Sequence, residues 1–384
     1  MSLSFILLCI SLFAWGIGEG LFFVFQPIYL QQLGADTMTI ATVYSAFGAA
    51  MMIAHIPAGY LADRLGRKPL LLAAWTSGLV ATWVMALARS LPAFIAGMLL
   101  YGLTAFVSSP LNSYVTAERG KLAPARAMTF MSAAFNFGAV LGPLAGGWIG
   151  DRVGLRTVYF IAAGLFVIST LVLLFLRSQP LDGHDPAAPP ARLFSNTRFV
   201  GLLGIIFIVI FATYLPQPLT AKFLENERGL SLSSIGLLGS VNGLGNALFN
   251  LFLGQFTARI GLILVQVCVA AFTLLIWQGT GLGLYAAGYF MLGGFRTARA
   301  FIFTMVRSLI HPAQMGLAYG IAETFNSLAM ILAPLLAGAL YTRDPALVYP
   351  VAAGLMAVTV ILSGAFAPRA AAIEPQVVSL PPDA

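Results

Sequence analysis

Apolar residues fill this chain in long runs that short polar segments interrupt. A helix that crosses a bilayer needs about 20 such residues. Runs of that length recur at roughly 4–31, 38–62, 69–88, 91–117, 127–149, 156–177, 199–223, 231–257, 261–280, 283–308, 313–341 and 345–367. The pattern predicts an all-α integral membrane protein of twelve transmembrane helices, spans 1 to 12. One interruption exceeds the others: 178–197, SQPLDGHDPAAPPARLFSNT, is polar and proline-rich and reads as a linker. The expected organisation is a six-helix bundle over 1–177, the linker, a second six-helix bundle over 198–370, and a flexible tail over 371–384.

Composition excludes the soluble classes. The chain of 384 residues is 59% hydrophobic and 9% charged, against 45–50% and about 25% in soluble domains, and its mean hydropathy is +0.92. The net charge of +7 does not indicate nucleic acid, because the cations fall mainly in short loops. Loops after even-numbered spans, with linker and tail, hold 12 Lys and Arg, and the opposite side holds 6. Both termini are therefore expected in the cytoplasm, with the protein in the inner (plasma) membrane. The first Lys or Arg is Arg64, so the opening apolar run lacks the cationic start of a signal peptide and reads as a mature helix. Cys9 and Cys268 lie inside apolar runs and read as packing residues.

The halves look related. Gly59-x-x-x-x-Arg64-x-Gly66 recurs as Gly254-x-x-x-x-Arg259-x-Gly261, displaced by 195 residues. Phe135-Asn136 recurs as Phe325-Asn326 at 190, and Pro143 matches Pro334 at 191. Duplicated halves are the mark of secondary transporters, whose solute site lies between the repeats near midplane.

Between spans 2 and 3 stands Gly59-Tyr60-Leu61-Ala62-Asp63-Arg64-Leu65-Gly66-Arg67-Lys68-Pro69. This loop resembles the signature of the major facilitator superfamily, and the twelve-span layout extends the resemblance over nearly the whole chain. The resemblance implies two pseudo-symmetric bundles rocking about a central cavity, monomeric function, and a conformational latch at Gly59, Asp63, Arg64, Gly66, Arg67 and Lys68. Gly59 suits close helix approach and Gly66 a tight turn. The second copy carries Ala258 in the place of Asp63, so one charged latch is expected and not two. In span 5, Gly138, Gly142, Pro143, Gly146 and Gly147 present small residues for tight packing, with Pro143 as a kink. They resemble the span-5 motif of drug:proton antiporters, which implies export.

Four charged residues fall well inside the spans: Glu19, Arg296, Arg299 and Glu323. Such groups cost roughly 2.5–3.5 kcal/mol each on insertion scales and usually face an interior cavity and a partner. By the resemblance, spans 1, 4, 7 and 10 line that cavity, with span 11 beside it. Glu19 and Gln26 share a stripe of span 1. Arg296 with Arg299, and Glu323 with Asn326, are each three apart and project to one side. Asn242, Asn246 and Asn250 repeat every four residues on span 8. Tyr101 and Asn112 on span 4, with Tyr214 and Gln217 on span 7, complete the expected set. A lone carboxyl in an apolar helix can take up and release a proton, so Glu19 or Glu323 is the expected coupling group. Arg296 is then either counter-ion to Glu323 or anchor for an anionic solute.

Other classes find little support. Gly16-x-Gly18-x-Gly20 lacks the strand and helix context of a nucleotide loop. No P-loop is present, and His55, His184 and His311 are too scattered for a metal site. No nucleophile–base pair at one depth suggests an enzyme. The sequence predicts a secondary transporter without cofactor, driven by the proton gradient. Its partners are a small solute and membrane lipid. Export of a partly hydrophobic compound leads, and uptake of an organic anion or sugar is the alternative.

Overall fold

The computed structural model describes residues 2–120, 122, 124–179, 193–253, 255–311 and 315–368; side chains at 55–65, 108–109, 124–125 and 316 are outside the description. Most of the expected linker and all of the expected tail therefore lie outside the described residues. Ten described helices are long and apolar enough to cross a membrane alone, and a bent pair over Leu91–Val107 and Pro110–Glu118 raises this to 11. The remaining expected span is Leu282–Leu292 and Ala298–Leu309 joined by a 3-10 turn, Gly293–Thr297. Neither piece is long enough to cross alone, and the span carries Arg296 in the turn and Arg299 and Arg307 in the second piece.

The interruptions are not scattered. Span 1 breaks between Leu3–Phe23 and Gln26–Gln32, and span 7 between Thr197–Tyr214 and Thr220–Asn226. Span 4 passes through a 3-10 segment, Leu103–Val107, and span 10 through Gly293–Thr297. Local chemistry accounts for three of them. Pro27 sits at the start of the second piece of span 1, Pro216 and Pro218 occupy the gap in span 7, and Gly293 and Gly294 weaken span 10. By contrast span 2 (Thr37–Leu65), span 5 (Pro124–Val153), span 8 (Leu232–Leu253) and span 11 (Met315–Arg343) run unbroken, even past Pro143 and Pro334. So do span 3 (Arg67–Leu87), span 6 (Leu155–Leu174), span 9 (Ala258–Gln278) and span 12 (Val348–Phe366).

Lipid tails are as apolar as leucine, so helices in a bilayer adhere through close packing and hydrogen bonds. Spans 1 and 5 show how. A Cβ at Gly142 would lie 2.5 Å from the Ile17 carbonyl oxygen, and one at Gly20 would lie 2.8 Å from the Pro143 ring. Gly138 likewise faces the Phe13 carbonyl, and Gly146 that of Leu21. Each helix thus seats its glycines against the other's backbone. Behind this pair, Trp15 stacks on Phe166 at 4.2 Å and Trp75 donates its Nε1–H to Ser11 and Ser169, both at 2.9 Å. Large apolar side chains on the perimeter stay uncovered, as at Phe137 and Ile361, where the bilayer is the solvent.

At the signature loop, Gly66 adopts φ 80°, the left-handed conformation that turns the chain sharply into span 3. Arg67 Nη1 donates to Gln179 Oε1 at 2.9 Å and Lys68 Nζ to the Leu174 carbonyl at 3.2 Å. Both contacts fasten span 3 to the end of span 6. The side chains of Gly59, Asp63 and Arg64 lie outside the description. In the second copy Gly261 is inside a helix that begins at Ala258, and a Cβ there would strike the Phe301 ring.

Candidate functional site

Hydrogen bonds that join the halves run from mid-depth to the end opposite the termini, the far end. Asp151, at the close of span 5, accepts from the backbone N–H of Leu232 at 3.0 Å and Ser233 at 2.8 Å. Asn226 Nδ2 donates to Gln31 Oε1 at 3.0 Å, and Lys222 Nζ to Thr37 Oγ1 at 2.6 Å. Deeper, Ser240 donates to the Val140 carbonyl at 2.6 Å and Asn246 Nδ2 to Asn136 Oδ1 at 3.1 Å. Small residues reinforce this closure: Gly147 faces the Leu232 carbonyl and Gly236 that of Pro143.

Beneath these contacts lies a cavity of about 220 Å³ walled by both halves. Span 1 supplies Glu19, Phe23 and Val24, and spans 2 and 5 supply Tyr44, Asn136 and Pro143. From the other half come Tyr214 and Gln217 on span 7, Asn242 and Asn246 on span 8, Phe272 on span 9, and Tyr289, Phe295 and Arg296 on span 10. The breaks in spans 1, 7 and 10 bring backbone turns to this cavity, which is tolerable in a membrane only where irregular backbone is buried in protein or lines a cavity. Span 4, expected to line the cavity, contributes no residue.

Glu19 is the chemical centre of the first wall. Its Oε2 accepts from Tyr101 Oη at 2.7 Å and from Trp15 Nε1 at 3.3 Å. Tyr101 itself, 5% exposed, stands behind Glu19 and does not line the cavity. On the second wall Tyr214 stacks with Phe295, ring centroids 6.2 Å apart. Gln217, also in the lining, donates its Nε2 to the Thr213 carbonyl at 2.7 Å.

The expected site residues thus divide. Glu19, Tyr214, Gln217, Asn242, Asn246 and Arg296 share the cavity. Gln26 does not line it; this side chain is fully buried beside the break in span 1, and neither of its amide atoms has a hydrogen-bond partner. Asn112 is exposed, away from the lining. Arg299 Nε binds Glu323 Oε1 at 2.6 Å, and Asn326 Nδ2 reaches Glu323 Oε2 at 3.3 Å, a separate polar cluster between spans 10 and 11. Glu323 is therefore matched by Arg299 and not by Arg296. The two arginines have different surroundings: Arg296 sits in the 3-10 turn and lines the cavity, and Arg299 sits in the helix after it beside Glu323. Of the asparagine ladder, Asn250 bonds back to Asn246.

Sequence reasoning passed over Tyr44, Phe23, Phe272, Tyr289 and Phe295, which look like any aromatic in an apolar helix. It found Asn136 as half of a repeat and not as a wall of the site.

The described geometry is that of a two-bundle transporter. The Major Facilitator Superfamily model matches this chain over residues 5–217 and again over 202–381. This chain belongs to the Major Facilitator Superfamily. It is a multi-pass membrane transporter of small-molecule solutes. It is 23% identical over 370 residues to Multidrug resistance protein 2 of Bacillus subtilis strain 168, covering 88% of each chain. It is 28% identical over 281 residues to Multidrug resistance protein MdtG of Citrobacter koseri, covering 69% of each. Among solved structures, a mutant of nucleoside transporter NupG superposes with a TM-score of 0.81 at 17% identity, over 94% of this chain and 99% of that one. A D-xylose-proton symporter superposes with a TM-score of 0.72 at 14% identity, over 95% and 98%. At such identities these structures speak to the fold alone.

Proposed function

We propose that this transporter exports small, partly hydrophobic solutes across the plasma membrane in exchange for protons, by alternating access. The observation that carries the proposal is Glu19. Its carboxylate lies in the wall of a cavity between the halves, with Oε2 held by Tyr101 and Trp15. Oε1 accepts no hydrogen bond from any described residue. A fixed carboxylate with one open oxygen can exchange a proton or meet a cationic solute as the halves rock. The aromatic lining suits an apolar body, and the names of the relatives from Bacillus subtilis and Citrobacter koseri support export.

With both termini in the cytoplasm, as cation counting expects, the far end is extracytoplasmic. The Asp151, Asn226 and Lys222 contacts then close the outer side, and this conformation is inward-facing. The 1–177 and 198–370 bundles are the two rocking units. Uptake of an organic anion with a proton rests on Arg296 alone.

The test is proton movement in proteoliposomes that enclose a pH dye. Addition of a lipophilic cation to wild type should drive protons the opposite way, and Glu19→Gln should abolish that exchange. Proton movement only with organic anions, and in their direction, would replace export by uptake.

A further inference from the structure

Glu19 and Arg296 face one cavity from opposite halves, and the structure does not pair them with each other. Arg299, three residues on, is matched by Glu323 at 2.6 Å. Arg296 has neither a hydrogen bond nor an ion pair with any described residue. Glu19 directs both of its protein contacts to Oε2, so Oε1 is open as well. The site therefore presents one unmatched anion and one unmatched cation. Charged groups within spans face a water-filled cavity or pair with one another. Here Arg296 is exposed and Glu19 half-buried in the same cavity, so both can be reached by a solute that enters it.

The cavity they share is also lined by aromatic rings, with Phe23 on the first half and the stacked Tyr214 and Phe295 on the second. We infer that the preferred solute class is an aromatic zwitterion, its ammonium on Glu19 Oε1, its carboxylate on the Arg296 guanidinium and its ring between. The inference rests on the reading of this cavity as the solute site. A planar guanidinium receives a carboxylate through two parallel hydrogen bonds, and an ammonium brings the charge that the open oxygen lacks. Solutes with a single charge leave one group unmatched: a monocation leaves Arg296 without an anion, and a monoanion leaves Glu19 without a cation. The zwitterion alone completes both.

The arrangement also sets how coupling works for such a solute. The ammonium and the exchanged proton compete for the same atom, Glu19 Oε1. The contact to Arg296 is untouched by that competition, so the anionic end fixes orientation while the cationic end responds to pH.

The test is calorimetric binding to the purified protein without a pH gradient. The probes are a biphenyl with an aminomethyl group at one end and a carboxylate at the other, its primary amide, and its N-acetyl derivative. Wild type should bind the zwitterion at least tenfold more tightly than either derivative. Arg296→Gln should erase the preference over the amide and leave amide binding unchanged, and Glu19→Gln should erase the preference over the N-acetyl compound. Arg296→Lys should restore part of the first preference, which a folding defect would not. Failure to bind any probe, or equal weakening of all three in Arg296→Gln, would overturn the inference. Because binding is read without protons moving, loss of the antiport reading leaves this result standing. Antiport of unrelated cations with no probe preference sinks this inference alone.

Discussion

The Asp151 carboxylate at the end of span 5 accepts from the backbone N–H of Ser233 at 2.8 Å and, through its other oxygen, from Leu232 at 3.0 Å. It caps the start of span 8 from across the boundary between the halves. The first N–H groups of a helix have no partner within it, so span 8 is complete at this end only while the far end is closed.

Asp151→Ala should therefore shift the transporter toward the state open at the far end. Loss of a capping side chain costs about 0.5–2 kcal/mol, a shift of roughly 2- to 30-fold in that equilibrium. Distances between spin labels on the ends of spans 5 and 8 would measure it. An unchanged distribution would show that the cap is incidental to closure.

Gly146 and Gly147 are neighbours in sequence that face different partners. A Cβ at Gly146 meets the Leu21 carbonyl within its own half, whereas one at Gly147 meets the Leu232 carbonyl of the other half. Gly146→Ala should lower the melting temperature, since overpacking costs about 1–3 kcal/mol. Gly147→Ala should leave melting nearly unchanged and expose far-end cysteine reporters to reagent. Identical behaviour of the two variants would contradict this division of span 5.

Asp36 begins span 2 outside the bilayer and accepts from the Thr39 N–H at 2.7 Å. The Thr39 hydroxyl first, then that N–H, and more weakly Lys222, hold its carboxyl below the usual range. A lowered carboxyl stabilises the folded form above its unfolded value of about 4, and that stability is lost as pH falls through the folded value. Wild type should lose melting temperature more steeply than Asp36→Ala below about pH 4. Parallel acid curves would remove Asp36 as a stabilising cap.

The membrane class, the spans and the duplication were legible along the chain, because the bilayer imposes a length and a polarity on every crossing helix. Glu19 and Arg296 stood out by the same rule. The pairing of Arg299 with Glu323 did not follow, since spacing of three puts two arginines on one side only if the helix is regular. The 3-10 turn at Gly293–Thr297 breaks that assumption. The aromatic walls were hidden for a related reason: Tyr44, Phe272 and Tyr289 differ from lipid-facing aromatics only in what lies opposite them. Sequence alone determined that this chain crosses a membrane in two related halves and carries charged residues within its spans. Only the tertiary structure decided which charges pair with one another, which line the cavity, and which end is shut, because each depends on helices that are distant in sequence.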